Sequence, residues 1–121
     1  MPGTGSRESA TVAGHFDGRD PVVRDIYDRL LAVARRLGSV AEDPKKTSIH
    51  LNRKSAFAGV ATRKSALIIT LKSATDIRSP RIVKHLNASS RRWYLDVRLE
   101  SAKDVDPEFR NWLQQSYELS S

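Results

Sequence analysis

The stretch Thr47–Lys72, TSIHLNRKSAFAGVATRKSALIITLK, decides the fold. Ile49 and Leu51 alternate with Ser48, His50 and Asn52, the period of a strand with one buried face. SAFAGVAT follows, with Phe57 and then Gly59 or Val60 among small neighbours. SALIITLK is more apolar and β-branched, the pattern of a central strand covered on both faces. The links Asn52–Ser55 and Thr62–Ser65 have the length of hairpin turns. Together these segments read as a three-stranded antiparallel meander.

The same stretch contains Arg-Lys-Ser-Ala twice, at Arg53–Ala56 and Arg63–Ala66, with a partial echo at Lys72-Ser73-Ala74. Successive turns of a meander lie at opposite ends of the sheet. A strand of about seven residues at about 3.3 Å each separates the two basic pairs by roughly 20–23 Å. They cannot close on one small anion. Lys72 returns toward Arg53-Lys54, while Lys45-Lys46 approach Arg63-Lys64. The repeat therefore reads first as polar turn chemistry used twice. Its second reading is a basic stripe that spans several phosphates of a long polyanion.

Outward from the meander, two helices frame the chain. Asp20-Pro21 supplies an N-cap and a first-turn proline. Val23, Ile26, Leu30, Val33 or Ala34, and Leu37 then form one apolar stripe, and Gly38 stops the helix, which spans 21–37. Asp106-Pro107 repeats the start signal. Phe109, Trp112, Leu113 and Tyr117 make a second amphipathic helix over 107–118. Before it, WYLDVRLES alternates Trp93, Leu95, Val97 and Leu99 with Tyr94, Asp96, Arg98 and Glu100, which is a fourth strand. GSVAEDPKK (38–46) reads as a turn around Pro44. In residues 73–90, Ser79-Pro80 caps a short helix that packs Ile82, Val83 and Leu86 inward, and Asn87–Ser90 is a loop. The expected fold is α+β in two layers: an antiparallel sheet of about four strands with an N-terminal and a C-terminal helix packed on it. The domain spans residues 20–119, and residues 1–19, rich in Gly, Ser and Thr, are expected to form a disordered tail.

Composition narrows the function classes. With 121 residues the chain makes one domain. The absence of cysteine excludes disulfides, Cys-ligated zinc and thiol catalysis. No segment reaches the roughly 18 apolar residues of a membrane span, and no apolar run follows the start. A cytoplasmic protein without membrane contact is expected. The charge is uneven: residues 44–98 hold thirteen basic and two acidic side chains, net +11, within a chain of net charge +7. This asymmetry points to polyanion contact, and its plainer reading is a solvated basic face.

No reaction is legible. Helix, three strands, helix and strand is also the order of a restriction-endonuclease-like core, but that chemistry needs carboxylates to hold Mg²⁺. No Asp or Glu lies between Asp43 and Asp76, so only a degenerate, binding-only relative remains open. His15, His50 and His85 share no ligand spacing. No serine has a neighbouring base in sequence. No cofactor and no metal is implied.

Three segments, IHLNRKSAFAGV, RKSALIITLKSA and RRWYLDVRLESAKDVDPEFRNWLQQSYE, resemble a bacterial domain family of unknown function. Its members occur alone or at the C-terminus of chains labelled predicted transport or nuclease-like proteins. The tail carries the resemblance best: a strand from Leu95 to Leu99, the acidic turn Asp104-Val105-Asp106, and a helix ending in Gln-Ser-Tyr-Glu. Family members often place histidines just ahead of the last strand's Val-Arg-Leu, where this chain reads RRWYLDVRL without one. The resemblance implies a small bacterial α+β module and brings no catalytic residues.

The residues favour a non-enzymatic binding domain whose basic sheet contacts a polyanion such as nucleic acid, or an acidic protein. The candidates are Arg53, Lys54, Arg63, Lys64, Lys72, Arg91, Arg92 and Arg98, with Tyr94 as a stacking platform. A Tyr of this kind more often tucks its ring under a helix. The alternatives are a homodimer through a sheet edge or the aromatic terminal helix, and a small-ligand pocket between sheet and helices using Tyr94, His50 or His85.

Overall fold

The structure, a computed structural model, describes residues 11–121. Helix α1 (Pro21–Arg35) precedes and helix α2 (Pro107–Glu118) follows six strands: β1 (Ala41–Pro44), β2 (Ile49–Asn52), β3 (Ala56–Thr62), β4 (Leu67–Ser73), β5 (Ile82–Ser89) and β6 (Arg92–Leu99). The strands form one sheet in the order β1-β2-β3-β4-β6-β5, antiparallel at every step. The α+β class is as the sequence predicts. The sheet, however, has six strands where about four were expected.

Both additional strands are edges. β1 is AEDP, whose charge and proline read as a turn, yet Ala41 lies opposite Asn52 and Pro44 opposite Ile49. Proline is tolerated there because only one side of an edge strand is paired. β5 replaces the short helix expected around Ile82, Val83 and Leu86. Only Ile82 is buried, while Val83 and Leu86 are 57% and 53% exposed. The helix reading assumed that those apolar residues share a buried face. On this edge strand, with its ladder interrupted between Ile82 and Lys84, they do not.

The remaining strands turn alternate side chains to one side. Ile49 opposes Val60, Val60 opposes Ile69, and Ile69 opposes Val97, so a continuous apolar row crosses β2, β3, β4 and β6. Leu67, Ile69 and Leu71 of β4 are buried, but Ile68, Thr70 and Lys72 on its other face are only half-buried. The double coverage expected for β4 is therefore single. Its apolar run is a central strand under helices on one side only. A bulge in the β2–β3 ladder makes Phe57 an extra residue, so Phe57 and Ala58 are both buried.

Both helices pack on this apolar face. α1 contributes Val23, Ile26, Tyr27, Leu30 and Ala34, and α2 contributes Phe109, Trp112, Leu113 and Tyr117. At about 25 cal/mol per Å² of apolar area removed from water, this shared core is the dominant stabilising contribution.

Local chemistry fixes the helix ends. Asp106 caps α2 by accepting from the Phe109 amide at 3.0 Å, and Arg81 donates to both Asp106 oxygens at 2.8 and 3.0 Å. Asp20 sits at the α1 N-cap but its carboxylate does not cap. It accepts from Ser65 Oγ and pairs with Lys64 at 3.6 Å, which ties α1 to the β3–β4 turn. Of the tail expected over 1–19, residues 1–10 lie outside the described residues. Ala13–Phe16 form a 3-10 turn, Phe16 packs 5.2 Å from Tyr27, and His15 Nε2 donates to the Lys45 carbonyl at 2.7 Å.

Tyr117 joins four parts of the chain. Its hydroxyl donates to Ser39 O at 2.9 Å, its ring meets Phe57 edge-on at 4.9 Å, and the Arg53 guanidinium stacks 4.4 Å above it. Gly38 has φ +150°, and a Cβ there would sit 2.5 Å from the Tyr117 hydroxyl. Gly38→Ala should therefore cost roughly 1–3 kcal/mol by thermal or urea denaturation. Most of that clash should disappear in Gly38→Ala/Tyr117→Phe, making the double variant less than additive.

The Asp106 carboxyl is held below the ordinary carboxylate range by the Phe109 amide first and by Arg81 next. A lowered folded-state pKa adds stability above about pH 4, the unfolded value, and that stability is lost as pH falls through the folded value. Asp106→Asn can still cap the helix but cannot titrate. Its melting temperature should fall less than the wild type's between pH 5 and pH 2.

Candidate anion-binding face of the sheet

Because both helices occupy one side, the other side of the sheet carries no helix among the described residues. Its side chains follow from the register. One row runs His50, Gly59, Thr70, Asp96 and Lys84 across five strands, and the next places Lys72, Tyr94 and Leu86 side by side on β4, β6 and β5. β3 contributes only small groups here, Gly59 and Ala61, between taller neighbours. The result is a shallow cavity of about 350 Å³ whose lining includes His50, Gly59, Ala61, Thr70, Lys72 and Tyr94. A Cβ at Gly59 would meet Thr70 at 3.6 Å, an ordinary contact, so the protein's own packing does not demand the glycine. Its effect is to leave space.

Thr70 Oγ1 donates to Asp96 at 2.6 Å, which occupies the one carboxylate in the middle of the row. Lys72 Nζ donates to Ser55 Oγ at 2.9 Å and forms no ion pair among the described residues. Burial lowers the Lys72 pKa, and the nearby positive charge of Arg92 lowers it further. Arg92 Nε is buried and has no hydrogen-bond partner among the described residues. Buried donors are rarely left unpaired, and Arg92 Nε is an exception among the described residues.

The structure sorts the eight basic candidates into distinct surroundings. Lys54, Lys72, Arg91 and Arg92 lie at the end of the sheet formed by the β2–β3 and β5–β6 turns and the end of β4, and none has a carboxylate partner among the described residues. Arg53 shares this end but is engaged, donating to Tyr117 O at 3.1 Å while it stacks on the Tyr117 ring. At the opposite end Lys64 pairs with Asp20 at 3.6 Å and Arg98 with Glu100 at 2.8 Å. Arg63 donates to Thr62 O at 3.2 Å and borders a separate polar cavity with His15, Arg19 and Lys46. The eight residues thus do not make one continuous stripe.

Tyr94 lies on the helix-free face, half-buried beside Lys72, rather than under a helix. His50 and Tyr94 border the same cavity, which opens on the side away from the helices rather than between helices and sheet. His85 is elsewhere: it lies opposite Leu95 and its Nδ1 is 2.6 Å from Asp76. Sequence reasoning missed Gly59, Ala61 and Thr70. Their signal was present in AFAGVAT, whose outward positions are all small, but it carries meaning only once the helices are known to leave that face bare. Among the described residues, no three His, Asp or Glu side chains come together to hold a metal ion, and no helix is long and apolar enough to cross a membrane.

No curated protein and no solved structure matches the chain. A family model does match, over residues 12–120, which takes in both helices, all six strands and the cavity. The chain belongs to the family described as Domain of unknown function (DUF5655).

Proposed function

We propose that the protein is a binding module in which the helix-free sheet face and its adjoining basic end hold a phosphate-rich chain, with single-stranded nucleic acid as the ligand. The observation that carries this reading is the grouping of Lys54, Lys72, Arg91 and Arg92 without carboxylate partners among the described residues, beside an orphaned Arg92 Nε. Four cations at one end suit successive phosphates, and the trough over Gly59 leaves room for a flat base beside the Tyr94 ring. An open, shallow surface suits an extended strand. A duplex offers its bases only inside grooves, and the described residues of this surface present no projecting element to enter one.

Binding of fluorescent single- and double-stranded DNA and RNA across a salt series tests the reading. Four phosphate contacts on a single strand should give a slope of log affinity against log salt near −3, at about −0.7 for each. The quadruple Lys54→Gln, Lys72→Gln, Arg91→Gln, Arg92→Gln variant should lose most of that slope. A control set at the paired end, Lys64→Gln and Arg98→Gln, should keep it. Gly59→Val should weaken binding with little change in melting temperature, because it fills the trough. Absence of binding at low salt, or loss in the control set alone, would overturn the reading.

A further inference from the structure

β5 is an eight-residue strand whose outer edge pairs with no strand among the described residues, and it bears their two exposed large apolar side chains, Val83 and Leu86. The opposite edge is built differently: β1 has four residues and carries Glu42, Asp43 and Pro44, devices that discourage further pairing. On β5 the ladder to β6 is irregular at both ends, between Ile82 and Lys84 and between Asn87 and Ser89. The segment Lys84–Asn87 between these points is regular. It contains one lysine and no acidic residue. A strand added to it must be extended, free of positive charge where it faces Lys84, and able to cover Leu86.

We propose that this strand is β5 of a second copy, paired antiparallel about a two-fold axis that passes beside Leu86. The geometry narrows the choice. An antiparallel two-fold pairing across a sheet edge needs its axis perpendicular to the sheet, so both helix-free faces end on the same side. The pleat then requires that directly opposed residues point to the same face, which allows only registers in which one residue meets its own copy. Centring on Leu86 sets Leu86 against Leu86 and His85 against Asn87 of the two copies, and brings Lys84 level with Ala88, which lies in the bulge between Asn87 and Ser89. No like charges are opposed, and the exposed leucine is covered by its own equivalent. Centring on His85 would leave Leu86 facing a lysine.

The same register has a consequence for the face described above. Lys72 lies beside Tyr94 and Tyr94 beside Leu86. A two-fold at Leu86 extends this row through the partner's Leu86 and Tyr94 to its Lys72. Five strand steps of about 4.8 Å separate the two lysines by about 24 Å across one continuous surface. The inference rests on the strand edge and not on the proposed ligand, since self-association needs no anion to be present. Pairing through so short a segment buries far less than the roughly 1,200–2,000 Å² of a standard interface, so the dimer should be weak and concentration-dependent.

The chain has no cysteine, so single cysteines report the register directly. Leu86→Cys should oxidise to a covalent dimer at least tenfold faster than Lys84→Cys, His85→Cys or the distant surface variant Lys103→Cys. Analytical ultracentrifugation up to millimolar protein should show the mass rising toward twice the monomer. Leu86→Lys and Leu86→Glu should each stay monomeric, yet associate when mixed. Leu86 is exposed, so circular dichroism and melting of these variants should match the parent. A monomeric mass at every concentration, or cross-linking no faster at Leu86→Cys than at Lys103→Cys, would overturn the proposal, as would fastest cross-linking at His85→Cys.

Discussion

All the apolar rows of the sheet point the same way, and both helices lie on that side. β4 shows the constraint most clearly. Its residues alternate without exception, Leu67, Ile69, Leu71 and Ser73 buried and Ile68, Thr70 and Lys72 half-buried. A two-layer fold of this kind has one core and one bare sheet face. The bare face is therefore fixed by the same periodicity that builds the core. Side chains such as Thr70, Lys72 and Tyr94 reach it because their strand neighbours are needed inside.

The repeated Arg-Lys-Ser-Ala sequence acquires two meanings in this frame. At the first copy, Arg53 stacks on Tyr117 and donates to its carbonyl, while the Lys54 and Ser55 amides donate to Ser120 O at 3.2 and 3.3 Å. That turn holds the C-terminal end of α2, where a cation also complements the helix dipole. At the second copy, Ser65 and Lys64 both engage Asp20, and Lys64 O accepts from the Asp20 amide at 2.8 Å. That turn holds the start of α1. Each tetrapeptide thus anchors one helix to one end of the sheet. The repeat is structural at Arg53 and Lys64, and only Lys54 of its four basic residues remains with the Lys72–Arg92 cluster.

The helices and the strands β2, β3, β4 and β6 were legible because burial on one face imposes a period, and Asp-Pro marks both helix starts. The two edges were not. β1 is too short and too charged to show a period, and β5 keeps its apolar residues outside, where pattern and burial disagree. The candidate face was legible in its charge but not in its geometry. Whether a lysine is free depends on carboxylates brought from far away, as Asp20 is brought to Lys64. The pair Arg98–Glu100, two residues apart on one strand face, was readable in principle. The engagement of Arg53 by Tyr117 was not, because 64 residues separate them.

The proposed functional surface is the helix-free face at its unpaired basic end. Amide chemical-shift mapping by NMR, with a short single-stranded oligonucleotide titrated into the isotope-labelled protein, addresses that claim residue by residue. The predicted result is a contiguous set of shifts at Gly59, Thr70, Lys72, Arg92 and Tyr94, with α1 and the Lys45–Thr47 turn unmoved. Shifts confined to the helices, or centred on Lys45, Lys64 and Arg98, would contradict it.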